Sequence, residues 1–142
     1  MEIKEKEQSL DKRFEAERIK WRDTIDEYST QLADIRKLGE LQVHIFSSLG
    51  YIADYRRSLS NLSIKKMYKI RETRMNVLNT ISQSQERFVA KEKEYFIEGS
   101  IKEDLFKTEV INNHVEFLND IYDILNRMLY SVKNRIDMEG YA

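Results

Sequence analysis

The side chains best suited to acid–base or metal chemistry in this sequence are those of its two histidines, His44 and His114. They lie in widely separated segments, each at helical spacing among apolar residues. A structural role at the edge of a core or in a helix seam is therefore the better interpretation of both. The sequence contains no cysteine, no Glu-x-x-His pair and no Gly-rich phosphate loop. We expect no catalytic residue, no metal site and no cofactor, and hence a protein that is not an enzyme.

A basic window, residues 55–85, is the strongest chemical feature of the sequence. It holds seven basic residues and one acidic residue, Glu72, for a net charge of +6, whereas the whole chain carries −1. Tyrosines in and beside the window offer aromatic faces on which an unstacked base can lie. The candidate nucleic-acid-binding residues are Tyr55, Arg56, Arg57, Lys65, Lys66, Tyr68, Lys69, Arg71 and Arg74.

Two interpretations of the basic window remain open. In the first, the window binds a polyanion such as a single strand of nucleic acid. In the second, it pairs with acidic segments of the same assembly, because the rest of the chain has a net charge of −7. If several copies assemble, contacts to the nucleic-acid backbone add across subunits. Binding should then tolerate any base sequence and fall steeply as the salt concentration rises.

The composition predicts an all-α fold of about four long amphipathic helices. Charged residues make up 35% of the 142 residues, proline is absent and there are only four glycines. Little material is left for a spherical core, and few positions oblige the chain to turn. The N-terminus lacks the apolar run of a signal peptide, and no segment approaches the ~20 apolar residues of a membrane-spanning helix. We expect a cytoplasmic protein without membrane contact or a small-molecule substrate, in the host cytoplasm if it is viral.

The N-terminal segment, residues 1–38, is predicted to form a coiled-coil arm. Its heptad register is interrupted by four-residue steps from Glu17 through Trp21 to Ile25, which resemble a stutter. Because the apolar stripe is narrow, the arm should need a partner helix. The stripe consists of Ile3, Leu10, Phe14, Trp21, Ile25, Tyr28, Leu32 and Ile35.

The C-terminal helix has the clearest periodicity in the chain. Its apolar residues recur at alternating spacings of four and three, which is typical of a heptad seam. A second apolar row lies one position earlier, so the face is wide enough to pack against several neighbours. The predicted oligomer and packing residues are Ile111, Val115, Leu118, Tyr122, Leu125, Leu129, Val132 and Ile136. Residues 39–142 are thus predicted to be a helical oligomerisation domain with a basic middle helix, in a homo-oligomer.

Two internal helix boundaries are predicted from local residue preferences. In residues 58–63, serines and an asparagine compete for backbone donors, which favours a hinge or turn. Gly99 can end one helix and Ser100 can cap the next, with Glu103 completing a Ser-x-x-Glu capping box. The basic middle helix is accordingly placed at about residues 62–96.

From about residue 51 to residue 135, several short segments resemble the UvsY-type recombination mediators of tailed phages. The segments are Tyr55-Arg-Arg-Ser-Leu, Ser63-Ile-Lys-Lys66, Glu94-Tyr-Phe-Ile-Glu-Gly99 with Ser-Ile-Lys-Glu103, Lys107-Thr-Glu-Val110 and Ser131-Val-Lys-Asn-Arg135. The resemblance implies a small helical protein that forms rings and binds single-stranded DNA. It also implies that the protein helps load the phage recombinase onto strands covered by single-strand-binding protein. By the same resemblance Lys65, Lys66, Lys69 and Arg71 contact the strand, and the final helix supplies oligomer contacts.

Two functions are therefore expected from the sequence. The first is a recombination mediator whose partners are single-stranded DNA, a recombinase and a single-strand-binding protein. The alternative is a structural or scaffolding coiled-coil subunit of a virion, which makes protein–protein contacts only. In that case the protein would be located in the virion, and the basic window would face an acidic protein surface.

Overall fold

Three long α-helices make up the chain in a computed structural model that describes residues 2–84 and 88–140, with side chains described for residues 9–84 and 88–139. Helix α1 spans Glu2–Gln31, α2 spans Leu38–Gln83 and α3 spans Ala90–Gly140. A short 3₁₀ helix, Ile35–Lys37, precedes α2. No strand occurs in these two described stretches. The predicted all-α class is confirmed, whereas the predicted number of about four long helices is wrong.

The boundary between α1 and α2 is built around Asp34. Its backbone is extended, and its side chain accepts a hydrogen bond from the backbone N–H of Arg36 at 3.1 Å. An aspartate in this role satisfies one of the N–H groups that the first turn of a helix leaves unpaired. The turn therefore forms without proline or a left-handed glycine.

The hinge predicted at residues 58–63 is wrong, because α2 continues through it. Leu59 is buried, and the buried Ser63 hydroxyl donates a 2.8 Å hydrogen bond to the Asn112 side chain on α3. The local preference of serine and asparagine for a cap is worth about 1 kcal/mol, so packing of this kind overrides it.

The helix boundary predicted at Gly99 and Ser100 is also wrong, because both residues lie inside α3. The Ser100 hydroxyl donates to the carbonyl of Phe96 at 2.8 Å instead of capping a new helix. The Glu103 carboxylate lies 2.7 Å from the ammonium of Lys107, one turn further along α3. The break between α2 and α3 instead falls between Gln83 and Ala90, inside the predicted middle helix.

A substitution pair tests the continuity of α3. Gly99→Ala is expected to raise the free energy of unfolding by about 0.5–1 kcal/mol, since alanine is the better helix former. An added Cβ at Gly99 meets no atom within 4 Å. Ser100→Ala should be nearly neutral, whereas loss of a helix N-cap costs about 1 kcal/mol. Urea unfolding followed by circular dichroism measures both, and a destabilised Ser100→Ala variant would mean that a helix starts there.

The chain divides into two compact units, which we name the hairpin unit and the bundle unit. The hairpin unit comprises Met1–Asp11 and Leu59–Asn113. Its main parts are the second half of α2 and the first half of α3, which run antiparallel, because Ser63 meets Asn112 and Lys69 meets Asp104. The buried residues of this unit are Leu59, Ser63, Ile70, Ile101, Asp104, Thr108 and Ile111. Nearly half of them are polar, so specific polar contacts help to fix the pairing of the two helices.

The bundle unit comprises Lys12–Ser58 and His114–Ala142. Within it, α1 and α2 run antiparallel, since Tyr28 meets Ser48 and Glu17 meets Tyr55. The buried apolar residues of this unit are Phe14, Leu38, Leu41, Ile45, Leu49, Ile52, Leu118, Ile121, Leu125, Met128 and Val132. This larger apolar set makes the bundle unit a helical core of its own. The coiled-coil arm and the oligomeric state stay predictions.

Candidate nucleic-acid interface

The candidate nucleic-acid-binding residues all lie on α2, but the unit boundary divides them. Tyr55, Arg56 and Arg57 belong to the bundle unit, whereas Lys65, Lys66, Tyr68, Lys69, Arg71 and Arg74 belong to the hairpin unit. The two sets are therefore described separately.

Two of the candidate lysines meet an acidic side chain of the same unit. The ammonium groups of Lys66 and Lys69 lie 3.8 Å and 3.6 Å from the carboxylate oxygens of Asp104, which is buried on α3. A buried carboxylate is costly unless it is paired, so these two lysines stabilise the hairpin unit. For Lys66 and Lys69 the arrangement favours pairing within the protein over contact with a polyanion.

Two of the bundle-unit candidates also have partners on neighbouring helices. The Tyr55 hydroxyl donates to the carboxylate of Glu17 at 2.8 Å. The guanidinium of Arg56 donates to the Asn119 side chain at 2.9 Å and lies 4.4 Å from the ring centroid of Tyr122. Both residues thus connect α2 to the rest of the bundle unit. Arg57 is exposed and forms no ion pair with any described residue.

The remaining hairpin-unit candidates form an exposed surface, which we name the outward face of α2. Its centre consists of Ile64, Tyr68, Arg71 and Met75, and it is flanked on opposite sides by Lys65 and Arg74, which point half a turn apart. Ile64, Tyr68, Arg71 and Met75 follow the spacing i, i+4, i+7, i+11 of one helix face. That face lies opposite the buried residues Leu59, Ser63 and Ile70 of the same helix.

An aromatic–guanidinium pair lies at the centre of the outward face. Tyr68 is 64% exposed, and the guanidinium carbon of Arg71 lies 5.8 Å from the centroid of its ring. Lys65, Arg71 and Arg74 are exposed, and none of them forms an ion pair within the described part of the chain. The surface therefore combines three accessible positive charges with an accessible π face.

Asp104→Asn tests whether the buried carboxylate of Asp104 competes with an external anion for Lys66 and Lys69. The substitution removes the charge that holds Lys66 and Lys69, so the free energy of unfolding should fall by about 1 kcal/mol. The same change should tighten binding of a single-stranded oligonucleotide, because two more positive charges become available. Urea unfolding and fluorescence anisotropy measure the two effects. An affinity that falls together with stability would contradict the expected competition.

A polar cluster in the bundle unit, which was not predicted from the sequence, joins all three helices. Glu17 on α1 accepts hydrogen bonds from the Tyr55 hydroxyl on α2 and from Nε2 of His114 on α3, the latter at 2.8 Å. His114 is fully buried and its ring stacks on Phe14, with ring centroids 4.1 Å apart. Nδ1 of His114 is buried and has no hydrogen-bond partner in the described part of the protein. Glu17 occupies a core position in the heptad register of α1, and a charged residue there is the signal that would have indicated this cluster.

The electrostatics of this cluster keep His114 and Tyr55 neutral. Burial lowers the pKa of His114 below its usual 6.5, although the hydrogen bond to Glu17 acts in the opposite direction. Burial, together with the hydrogen bond to Glu17, raises the pKa of the Tyr55 hydroxyl. Since the unfolded chain takes up a proton at His114 more readily, stability is greatest above pH 6.5 and decreases as the pH falls from there. His44, by contrast, is exposed and lies 3.8 Å from Glu40 on the same helix, not in a core seam.

The predicted oligomer and packing residues of α3 are placed as follows. Ile111, Leu118, Leu125 and Val132 are buried, and Val115, Tyr122, Leu129 and Ile136 are half-buried. Ile111 belongs to the hairpin unit and the other seven belong to the bundle unit. Their role in contacts between copies stays a prediction.

Three further properties were compared with the structure and the sequence: metal binding, membrane crossing and similarity to known proteins. Within the described residues, no group of three or more histidine or acidic side chains is placed to hold a metal ion. No helix in the same residues is long and apolar enough to cross a membrane. Comparison of the chain with protein-family models, curated proteins and solved structures finds no match.

Proposed function

We propose that this protein is a non-catalytic, self-associating helical protein that binds single-stranded DNA through the outward face of α2. The observation that supports this most is the exposed Tyr68 ring beside Arg71, together with the accessible charges of Lys65 and Arg74. Lys66 and Lys69 are assigned to pairing with Asp104 and not to the strand. The proposed contact set is thus smaller than the basic window as a whole.

The chemistry of this face suits a single strand better than a duplex. A single strand presents unstacked bases that can lie on an exposed tyrosine, and such stacking contributes about 1–3 kcal/mol per base. Lysine and arginine side chains within a few residues of the ring can follow the phosphate backbone. A duplex keeps its bases stacked, so Tyr68 would add nothing to its binding.

The finer proposal is that the protein helps to load a recombinase onto strands covered by single-strand-binding protein. The resemblance of residues 51–135 to UvsY-type mediators supports it. Because three charges on one chain bind a strand weakly, several copies acting together are needed for useful affinity. Self-association is therefore part of the proposal.

A charge-reversal pair tests the proposal. The double variant Lys65→Glu with Arg71→Glu should weaken oligonucleotide binding at least about tenfold at low salt, because it replaces two phosphate contacts with repulsion. Fluorescence anisotropy with a labelled single strand measures the change. The control is Lys12→Glu with Lys133→Glu, which changes the net charge equally at two exposed positions of the bundle unit. If both double variants lost the same affinity, the loss would be due to net charge alone, and the outward face of α2 would not be the binding site.

One observation favours a second candidate function, a structural subunit of a virion or another large assembly. Ile64, Tyr68, Arg71, Met75 and Leu78 follow alternating spacings of four and three, and all five are exposed. A partner helix would find a heptad seam there. A chain that sediments only as an oligomer and shows no oligonucleotide binding at low salt would support this function over DNA binding.

A further inference from the structure

A cleft between α1 and α2 of the bundle unit is lined by aromatic side chains that the proposed DNA-binding surface does not use. Its volume is about 410 Å³, which lies in the range of small-molecule sites. The residues that define its character are Glu17, Lys20, Trp21, Tyr28, Tyr51 and Tyr55. We name it the aromatic cleft.

The aromatic rings are neighbours along the cleft. The ring centroids of Trp21 and Tyr51 are 6.1 Å apart, and those of Tyr51 and Tyr55 are 5.9 Å apart. Tyr51 is 59% exposed, so this wall of the cleft is accessible to a ligand. Several adjacent π faces in one pocket are the usual means of holding an alkylated ammonium group.

The carboxylate of Glu17 gives one end of the cleft a negative charge. Its direct hydrogen-bonding partners are the hydroxyl of Tyr55 and Nε2 of His114, and both groups are neutral near pH 7. Glu17 forms no ion pair with a lysine or arginine of the described residues. The charge of Glu17 is therefore fixed in place without a direct ion pair to a lysine or arginine, although Arg13 and Arg18 lie near enough to lower the pKa of His114 by their charge.

Three of the hydrogen-bond donors of the cleft are used inside the protein. Tyr55 donates to Glu17, Tyr28 and Ser48 share a 3.0 Å hydrogen bond, and Thr24 donates to the carbonyl of Lys20. The indole N–H of Trp21, the hydroxyl of Tyr51 and the exposed ammonium of Lys20 remain as donors, and of these three only Lys20 is charged. Because this charge is carried on a flexible stem beside the fixed carboxylate of Glu17, the cleft favours a cation over an anion.

We propose that the aromatic cleft binds an organic cation with a methylated ammonium head group. The head group lies against Trp21, Tyr51 and Tyr55, and the carboxylate of Glu17 supplies the complementary charge. The cation is bound and not converted, so the inference adds a ligand to a protein for which the sequence predicted no small-molecule substrate. It is independent of DNA binding, since the aromatic cleft and the outward face of α2 belong to different units.

Trp21 makes the test direct, because it is the single tryptophan of the chain and lines the cleft. Choline chloride is titrated into the full-length protein at constant ionic strength while tryptophan fluorescence is recorded. A saturable change is expected. Neohexanol, in which a carbon atom replaces the choline nitrogen, should bind at least about tenfold more weakly, since it lacks the charge that the rings and Glu17 attract. No saturable response to choline, or an equal response to neohexanol, would overturn the proposal.

Two variants and two further ligands complete the test. Tyr51→Leu should weaken choline binding at least about fivefold by removing one π face, and circular dichroism checks that the helices are retained. Lys20→Gln should tighten it by removing a like charge. Adenosine monophosphate is the anionic comparison ligand. If it bound more tightly than choline, and if Lys20→Gln weakened its binding, the ligand of the cleft would be an anionic nucleotide and the proposal would be wrong. A short peptide with trimethyl-lysine, compared with its unmethylated form, distinguishes a protein-borne head group from the free molecule, and either source supports the proposal.

Discussion

Leu125→Asp is expected to lower the free energy of unfolding by about 5 kcal/mol, a large part of the stability of a domain of this size. Leu125 has no exposed surface and lies on α3 in the core of the bundle unit. The change removes a buried isobutyl group, which alone costs about 2–5 kcal/mol. It also places a carboxylate on the face of α3 that carries the buried apolar residues Leu118, Ile121 and Met128, none of which can pair with its charge.

The control for Leu125→Asp is Met138→Asp on the same helix. Met138 is 74% exposed, so this substitution should change the free energy of unfolding by no more than about 0.5 kcal/mol. Urea unfolding followed by circular dichroism compares the two variants. Similar stabilities for both would mean that α3 does not bury the Leu125 face as described.

Glu17→Leu is expected to cost about 3 kcal/mol of stability, the second largest effect. Leucine fills the space but cannot accept hydrogen bonds from the Tyr55 hydroxyl and from Nε2 of His114. Each hydrogen bond to a charged acceptor contributes about 1.5–3 kcal/mol, and a buried donor left without a partner adds to the loss. Because these bonds join α1 to α2 and to α3, their loss should weaken the bundle unit as a whole.

Glu15→Leu is the matched control for Glu17→Leu. Glu15 is exposed on the same helix two residues earlier, so its replacement removes the same charge and adds the same side chain without breaking the cluster. Urea unfolding near pH 7 should show wild-type-like stability for Glu15→Leu and a clear loss for Glu17→Leu. If the two variants matched, the hydrogen bonds of Glu17 would contribute nothing to stability.

Helix content could be predicted from the sequence, but the helix boundaries could not. The periodic apolar rows of α3 identify a long amphipathic helix, because that spacing directly reflects the helical repeat. Good capping residues occur in residues 58–63 and at Ser100, yet both of these sites lie inside helices. A cap preference of about 1 kcal/mol is small beside the burial of Leu59 and the hydrogen bond between Ser63 and Asn112.

Parts of the candidate site were likewise predictable, and others depend on contacts between distant residues. The excess of lysine and arginine on α2 is visible in the sequence, but its division into paired and accessible charges is not. That division depends on Asp104, more than thirty residues from Lys66 and Lys69. The cluster of Glu17, Tyr55 and His114 likewise joins three helices. Only the fold brings such residues together, so the spacing along the chain can mark Glu17 as a charged residue at a core position but cannot identify its partners.

The central claim, that the protein binds single-stranded DNA through accessible charges and an exposed aromatic ring, is tested most directly by a salt series. Anisotropy titrations of the wild-type protein would compare a labelled single strand of mixed sequence with the matching duplex at about 50 to 200 mM salt. We expect tighter binding of the single strand and a linear fall of log affinity with log salt concentration, with a slope that reflects the number of phosphate contacts. Absence of single-strand binding at the lowest salt concentration, or a preference for the duplex, would contradict the central claim.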